Sequence, residues 1–164
     1  MSTNDFLPHI LVLPEDDADS QLANGFLLNV DWSRQRQIQV LPIVGGWRKV
    51  LECFQSDHIG YMKRYPQRYI VLLIDFDEQE DRLDIAKRVI PDDLKDRVFV
   101  PGARKDPEGL RKAGLGSFET IGIKLANDCR EETDTTWGHD LLRHNVNELT
   151  RLREQVRSIL FPFN

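Results

Sequence analysis

The run Tyr69-Ile70-Val71-Leu72-Leu73-Ile74 is apolar at successive positions, so an extended segment there must be covered on both faces. Such a strand belongs inside a parallel sheet flanked by helices, not in a sheet with one wet face. It stops at Asp75-Phe76-Asp77. A shorter run of the same character, Ile10-Leu11-Val12-Leu13, stops at Pro14-Glu15-Asp16-Asp17. Two buried strands therefore both end in carboxylates.

The segments between them read as helices. Asp17 or Asp19 is placed to cap a helix that carries Leu22, Ala23, Phe26 and Leu27 and ends near Leu28. Gln37 to Ile43 predicts a second extended stretch. Gly45-Gly46 then makes a tight turn and opens a helix with Trp47, Val50, Leu51 and Phe54 on one face, and His58 to Arg64 adds a short helical turn before Pro66. After Asp77 a helix is expected to use Leu83, Ala86, the Arg88 stem and Val89, closing at Pro91, and Arg97 to Val100 supplies a fourth strand. Strands alternating with helices predict an α/β fold with a parallel sheet of about four strands. Beyond Pro101 no strong strand signal remains: a bend at Gly114-Leu115-Gly116 precedes a helix from about Ser117 to Cys129 and a longer one from about Trp137 to Ile159. Trp137, Leu141, Leu142, Val146, Leu149, Leu152 and Val156 recur there as a broad stripe expected to be buried. We read 1–164 as one domain, with an α/β core over about 8–110 and a helical C-terminal extension over about 111–164.

Composition narrows the function classes. The 164 residues are 40% hydrophobic and 30% charged, enough apolar surface for a core, which excludes a disordered chain. With 22 Lys plus Arg against 27 Asp plus Glu the formal charge is −5, which argues against a broad basic surface for duplex DNA while leaving room for a local basic groove. No stretch approaches the roughly 20 apolar residues of a membrane span, and the polar start is unlike a signal peptide, so no membrane partner and a cytoplasmic location are expected. Cys53 and Cys129 are isolated and expected to be reduced. Cys129, His139 and His144 lack the spacing of a zinc site.

The chemistry-bearing feature is acidic. Parallel sheets present ligand-binding groups at the carboxyl ends of their strands. If strands one and three are neighbours, Glu15 faces Asp75 across 60 residues of sequence, and Asp77 completes a cluster of three carboxylates. Such a cluster repels itself without a cation, and its hard oxygens suit Mg²⁺ or Mn²⁺, which orient phosphates and activate water. Asp16, Asp17 and Glu78 are read as ordinary turn and cap residues. Arg104, Lys105, Arg111 and Lys112 surround Asp106-Pro107-Glu108 as a basic patch able to meet a nucleic-acid backbone, or a solvated loop.

Three segments together, Ile10-Leu11-Val12-Leu13-Pro14-Glu15 with Asp19 four residues on, Val44-Gly45-Gly46 before a helix, and Val71-Leu72-Leu73-Ile74-Asp75-Phe76-Asp77, resemble the Toprim-like domains. The resemblance is closest to the variant found in OLD (overcoming lysogenization defect) nucleases, and it covers roughly residues 8–110. It implies a Rossmann-like sheet and phosphodiester chemistry on nucleic acid, with Glu15 as metal ligand or general base and Asp75 and Asp77 as metal ligands. Asp19 matches a second acid of the OLD variant and Glu108 a later acidic position; Arg104 and Lys105 would bind substrate. The chain departs from the pattern at Asp16, where many such domains have Gly, and it has no Walker motif, so any ATPase would be a separate partner protein. A homo-oligomer is a further candidate assembly. A non-catalytic interaction or nucleotide-binding module of the same fold is the alternative. A lesser resemblance, to response-regulator receiver domains, rests on the acidic turn after Leu13 and on Asp75, without their strand-ending Lys-Pro.

Overall fold

The computed structural model describes residues 2–143 and 146–162. Both apolar runs are strands: β1 is His9–Pro14 and β3 is Arg68–Leu73, paired in parallel over six residues from His9 with Arg68 to Pro14 with Leu73. β2 (Ile38–Val40) lies on the far side of β1, and β4 (Val98–Phe99) on the far side of β3, giving an all-parallel sheet of order β2-β1-β3-β4. The chain leaves β1 in one direction and returns past it to β3, so the topological switch point lies between β1 and β3, the two strands that end in acid.

Alternation along each strand divides the core into two layers. Ile10, Val12 and Val71 face α1 (Asp17–Leu28), α6 (Phe118–Glu131) and α7 (Val146–Leu160). Leu11, Leu13, Ile70 and Leu72 face α2 (Trp47–Cys53), α3 (Ile59–Arg64) and α4 (Asp81–Arg88). The helix expected after Gly46 and the short turn expected at His58 are one continuous helical stretch, joined by a π-helical turn at Phe54–His58. Phe54 and Met62, both fully buried, would sit about 80° apart on an ideal α-helix; the wider turn absorbs one residue and puts both on the sheet.

α1 and α6 cross with backbone against backbone. A Cβ on Gly122 would lie 2.0 Å from the Leu22 carbonyl oxygen, and one on Gly25 would lie 2.1 Å from that of Glu119. At the open edge, Glu148 of α7 accepts the Val100 N–H at 3.0 Å and pairs with Lys87 and Arg151, which blunts β4 against further strand pairing. At the opposite end of the sheet from the acids, the buried His9 ring donates through Nδ1 to the Leu7 carbonyl and accepts Arg68 Nε at 3.0 Å through Nε2; Arg68 in turn binds Asp5 at 2.8 Å.

The C-terminal helix differs from the expectation. It begins at Val146, not Trp137, and residues 135–142 form turns and a bend. The buried Asp128 carboxylate at the end of α6 accepts the N–H groups of Thr136 and Trp137, at 2.7 and 3.0 Å, and the Thr133 hydroxyl at 2.6 Å, which pins this segment to α6; the Leu141 N–H, which a helix from Trp137 would give to the Trp137 carbonyl, goes instead to His139 Nδ1. Val146, placed in the buried stripe, is exposed, whereas Trp137, Leu142, Leu149, Leu152 and Val156 are buried. His139 Nδ1 accepts the Leu141 N–H, Cys129 is buried in the core, and His144 lies outside the described residues. α5 (Glu108–Lys112) is a short helix that sequence periodicity did not reveal. In α4 the inward basic side chain is Arg82, while Arg88 is exposed. No helix among the described residues is long and apolar enough to cross a membrane.

Candidate functional site

Glu15 joins three strand ends. Its N–H continues the ladder to the Leu73 carbonyl at 2.9 Å, its carbonyl accepts the Gly45 N–H at 2.9 Å, and its Oε2 accepts the Asp75 N–H at 2.7 Å. The Gly45-Gly46 turn that follows β2 has φ of 85° and 147°, values open to glycine, and so packs its main chain against Glu15. Asp16, not Asp17 or Asp19, caps α1 by accepting the Asp19 N–H at 3.0 Å. That cap sets the first turn of the helix so that Asp19 points inward.

The result is a group of three carboxylates. One oxygen each of Glu15, Asp19 and Asp75 lies within 4.8 Å of the other two, at the switch point between β1 and β3. Asp19 is fully buried and neither of its oxygens has a hydrogen-bond partner; Oδ1 of the buried Asp75 also has none. Asp19 also lines a mainly apolar cavity of about 90 Å³, together with residues such as Val12, Leu22 and Leu73. Burial pushes the Asp19 carboxyl far above the ordinary carboxylate range, with the Asp75 and Asp16 charges adding to it. Asp75 is raised by burial and then by Asp16 and Glu15, and Glu15 is raised by burial against the opposing hydrogen bond from Asp75. Buried carboxylates this close require protons or a cation. Their donor set, hard oxygens from three side chains, fits Mg²⁺ or Mn²⁺.

The other predicted residues take different places. Asp77 stands outside the group: its backbone is left-handed, with φ 53°, and its Oδ2 lies 3.3 Å from Arg82 Nη2. Glu108 is also outside it, paired with Arg111 at 2.7 Å on α5. Arg104 and Lys105 flank the same strand ends, because their carbonyls accept the N–H groups of Glu78 and Asp77 at 2.7 and 3.0 Å and their side chains are exposed. This pairing continues the β3 and β4 chains past the strands, and it depends on Gly102, where a Cβ would lie 1.6 Å from the Ile74 carbonyl oxygen.

Two residues were not singled out from sequence. Arg82 is buried, donates through Nη1 to the Asp75 carbonyl at 2.7 Å, and stacks on Trp47 with its guanidinium 4.8 Å from the ring centre. Its one sequence signal is position: it falls in the first turn of the helix that follows the acidic strand end. Trp47 reads from sequence as a core residue at the start of α2, and it serves as the platform over which Arg82 is held. No family model, no curated protein and no solved structure matches this chain.

Proposed function

We propose that Glu15, Asp19 and Asp75 form a divalent-cation site for phosphodiester chemistry on nucleic acid, in a domain of Toprim-like type. The observation that carries this reading is Asp19: a fully buried carboxylate with two unpartnered oxygens, aimed at two further carboxylates where parallel sheets bind ligands. A bound Mg²⁺ or Mn²⁺ would offset the clustered charge and polarise a phosphate oxygen or lower the pKa of a water. Asp19 and Asp75 are the holding residues, since both are buried and anchored on separate elements. Glu15 is half-buried with Oε2 engaged by the Asp75 N–H, which leaves Oε1 to take a proton from an attacking water. Arg104 and Lys105, exposed on the rim, supply positive charge for a phosphate backbone. A nuclease, or a nuclease-like subunit working with a separate protein, uses a site of this kind.

The test is calorimetric titration of Mn²⁺ into the chain and into its Asp19→Asn and Asp75→Asn variants, followed by incubation of single- and double-stranded DNA and RNA with Mg²⁺ or Mn²⁺. Uptake that is lost in both variants, with cleavage or nicking that follows the cation, is the expected result. Equal uptake by all three proteins would overturn the site. Uptake without any strand scission would leave a cation-binding interaction module in place of a nuclease.

A further inference from the structure

The strand-end pattern puts Asp77 beside Asp75, yet its carboxylate is turned to Arg82. The turn that aims it is well anchored. Asp77 and the next residue, Glu78, are both left-handed, with φ of 53° and 58°, and their N–H groups are tied to the carbonyls of Lys105 and Arg104. Two adjacent non-glycine residues in that region persist only where the surroundings over-determine them. Asp77 is thus held out of the carboxylate group by its own main chain.

Arg82 explains what Asp77 does there. Its guanidinium is buried, held by the Asp75 carbonyl and Trp47, and its Nε has no partner. It is a fixed positive charge against the backbone of one of the three clustered carboxylates, and that charge reaches Glu15, whose ionised form it favours. A buried cation in this position opposes a second cation unless a nearby anion answers it.

We propose that Asp77 acts on the cation site through Arg82, as the counter-ion that neutralises the buried guanidinium and keeps it off the Glu15, Asp19 and Asp75 carboxylates, and not as a ligand. Asp77 is then a positioning residue. The proposal rests on the cation reading above and differs from what the Asp-x-Asp pattern by itself implies. Without Asp77, Arg82 repels an incoming cation and is free to turn its unused Nη2 and Nε toward the Asp75 side chain.

The test is a double-variant cycle read by calorimetric Mn²⁺ affinity in the full chain, with thermal melts to confirm folding. Asp77→Asn is expected to weaken Mn²⁺ binding about tenfold, the scale of one unanswered charge at partly screened distance. Adding Arg82→Gln, which removes the charge and keeps a polar side chain, is expected to bring affinity back to within about threefold of the starting protein. Arg82→Gln alone should change affinity by less than about threefold, because Asp77 already answers its charge; a gain there as large as in the Asp77→Asn background, or a double variant as weak as Asp77→Asn, overturns the proposal, as does an Asp77→Asn protein with unchanged affinity. Salt gives a second measure that needs no change at Arg82. Between about 0.05 and 0.5 M KCl the Asp77→Asn defect should narrow if it is repulsion, and a defect independent of salt counts against it. Absence of Mn²⁺ uptake by the unaltered chain would instead overturn the cation reading itself, and this proposal with it.

Discussion

The Asp75 N–H donates to Glu15 Oε2 at 2.7 Å, so the side chain that ends β1 caps the main chain that leaves β3. The two strand ends are thereby locked together where their carboxylates converge, and the separation of Glu15 from Asp75 along 60 residues of chain becomes a single hydrogen bond in space. Several consequences can be measured.

Without a cation, the buried carboxylates work against the fold. Asp19 and Asp75 have folded-state pKa values above their ordinary ones, so the unfolded chain releases protons first as pH rises. Stability contributed by the protonated forms is present below about pH 4 and is lost as pH rises toward the folded values. Asp19→Asn is therefore expected to stabilise the cation-free protein at neutral pH by about 1 kcal/mol, or about 2–4 °C in Tm for a chain of this size. Millimolar Mg²⁺ or Mn²⁺ should raise the Tm of the unaltered protein and not that of the variant. Melting curves with and without cation check both statements.

His9 gives a slope of the opposite sign. Burial, followed by the Arg68 charge, holds its pKa below the ordinary value of 6.5, and the Arg68 Nε bond requires a neutral ring. Below pH 6.5 the unfolded state takes up a proton that the folded state refuses. Stability then falls by up to about 1.4 kcal/mol per pH unit until the folded ring titrates. Asp5, which binds the same guanidinium, and His58, also lowered by burial, belong to the same end of the sheet. Denaturant unfolding of the protein and of His9→Gln across pH 5–8 should give curves that diverge on the acid side; parallel curves would contradict the assignment.

The α1 and α6 crossing leaves no room for a side chain. Gly122→Ala puts a methyl group against the Leu22 carbonyl and the Phe26 N–H, and backbone cannot yield as a flexible side chain would. A loss of about 3 kcal/mol is expected, at the upper end of overpacking costs. Because α1 carries Asp19, Mn²⁺ affinity should fall with it. Chemical denaturation and calorimetry on the same variant separate the two effects.

Asp128→Ala removes the acceptor for the N–H groups of Thr136 and Trp137, both of which are buried with it. Stranding those donors should cost about 3 kcal/mol. Hydrogen exchange should quicken first at residues 133–142, ahead of the sheet, and Trp137 emission should shift to the red as its ring leaves the core. A uniform change across the chain would argue for a general packing defect instead.

The sequence by itself determined the parallel α/β sheet and the acids at the ends of β1 and β3, because runs apolar on both faces have one stable home and carboxylates mark where they leave it. It also carried α6 as a helix from about Ser117; the structure adds that Ser117 caps it, accepting the Thr120 N–H at 3.1 Å. Only the tertiary structure decided which acids meet. Asp19 enters the group because Asp16 caps α1 and rotates the first turn inward, and Asp77 leaves it because two left-handed residues are tied to Arg104 and Lys105. The start of α7 escaped for a similar reason: Asp128 ties Thr136 and Trp137 to the end of α6, and His139 Nδ1 takes the Leu141 N–H that periodicity assigns to a helix. In each case a side chain bonds to a main chain distant from it, or turns it by a residue, and no local pattern of apolar positions records that.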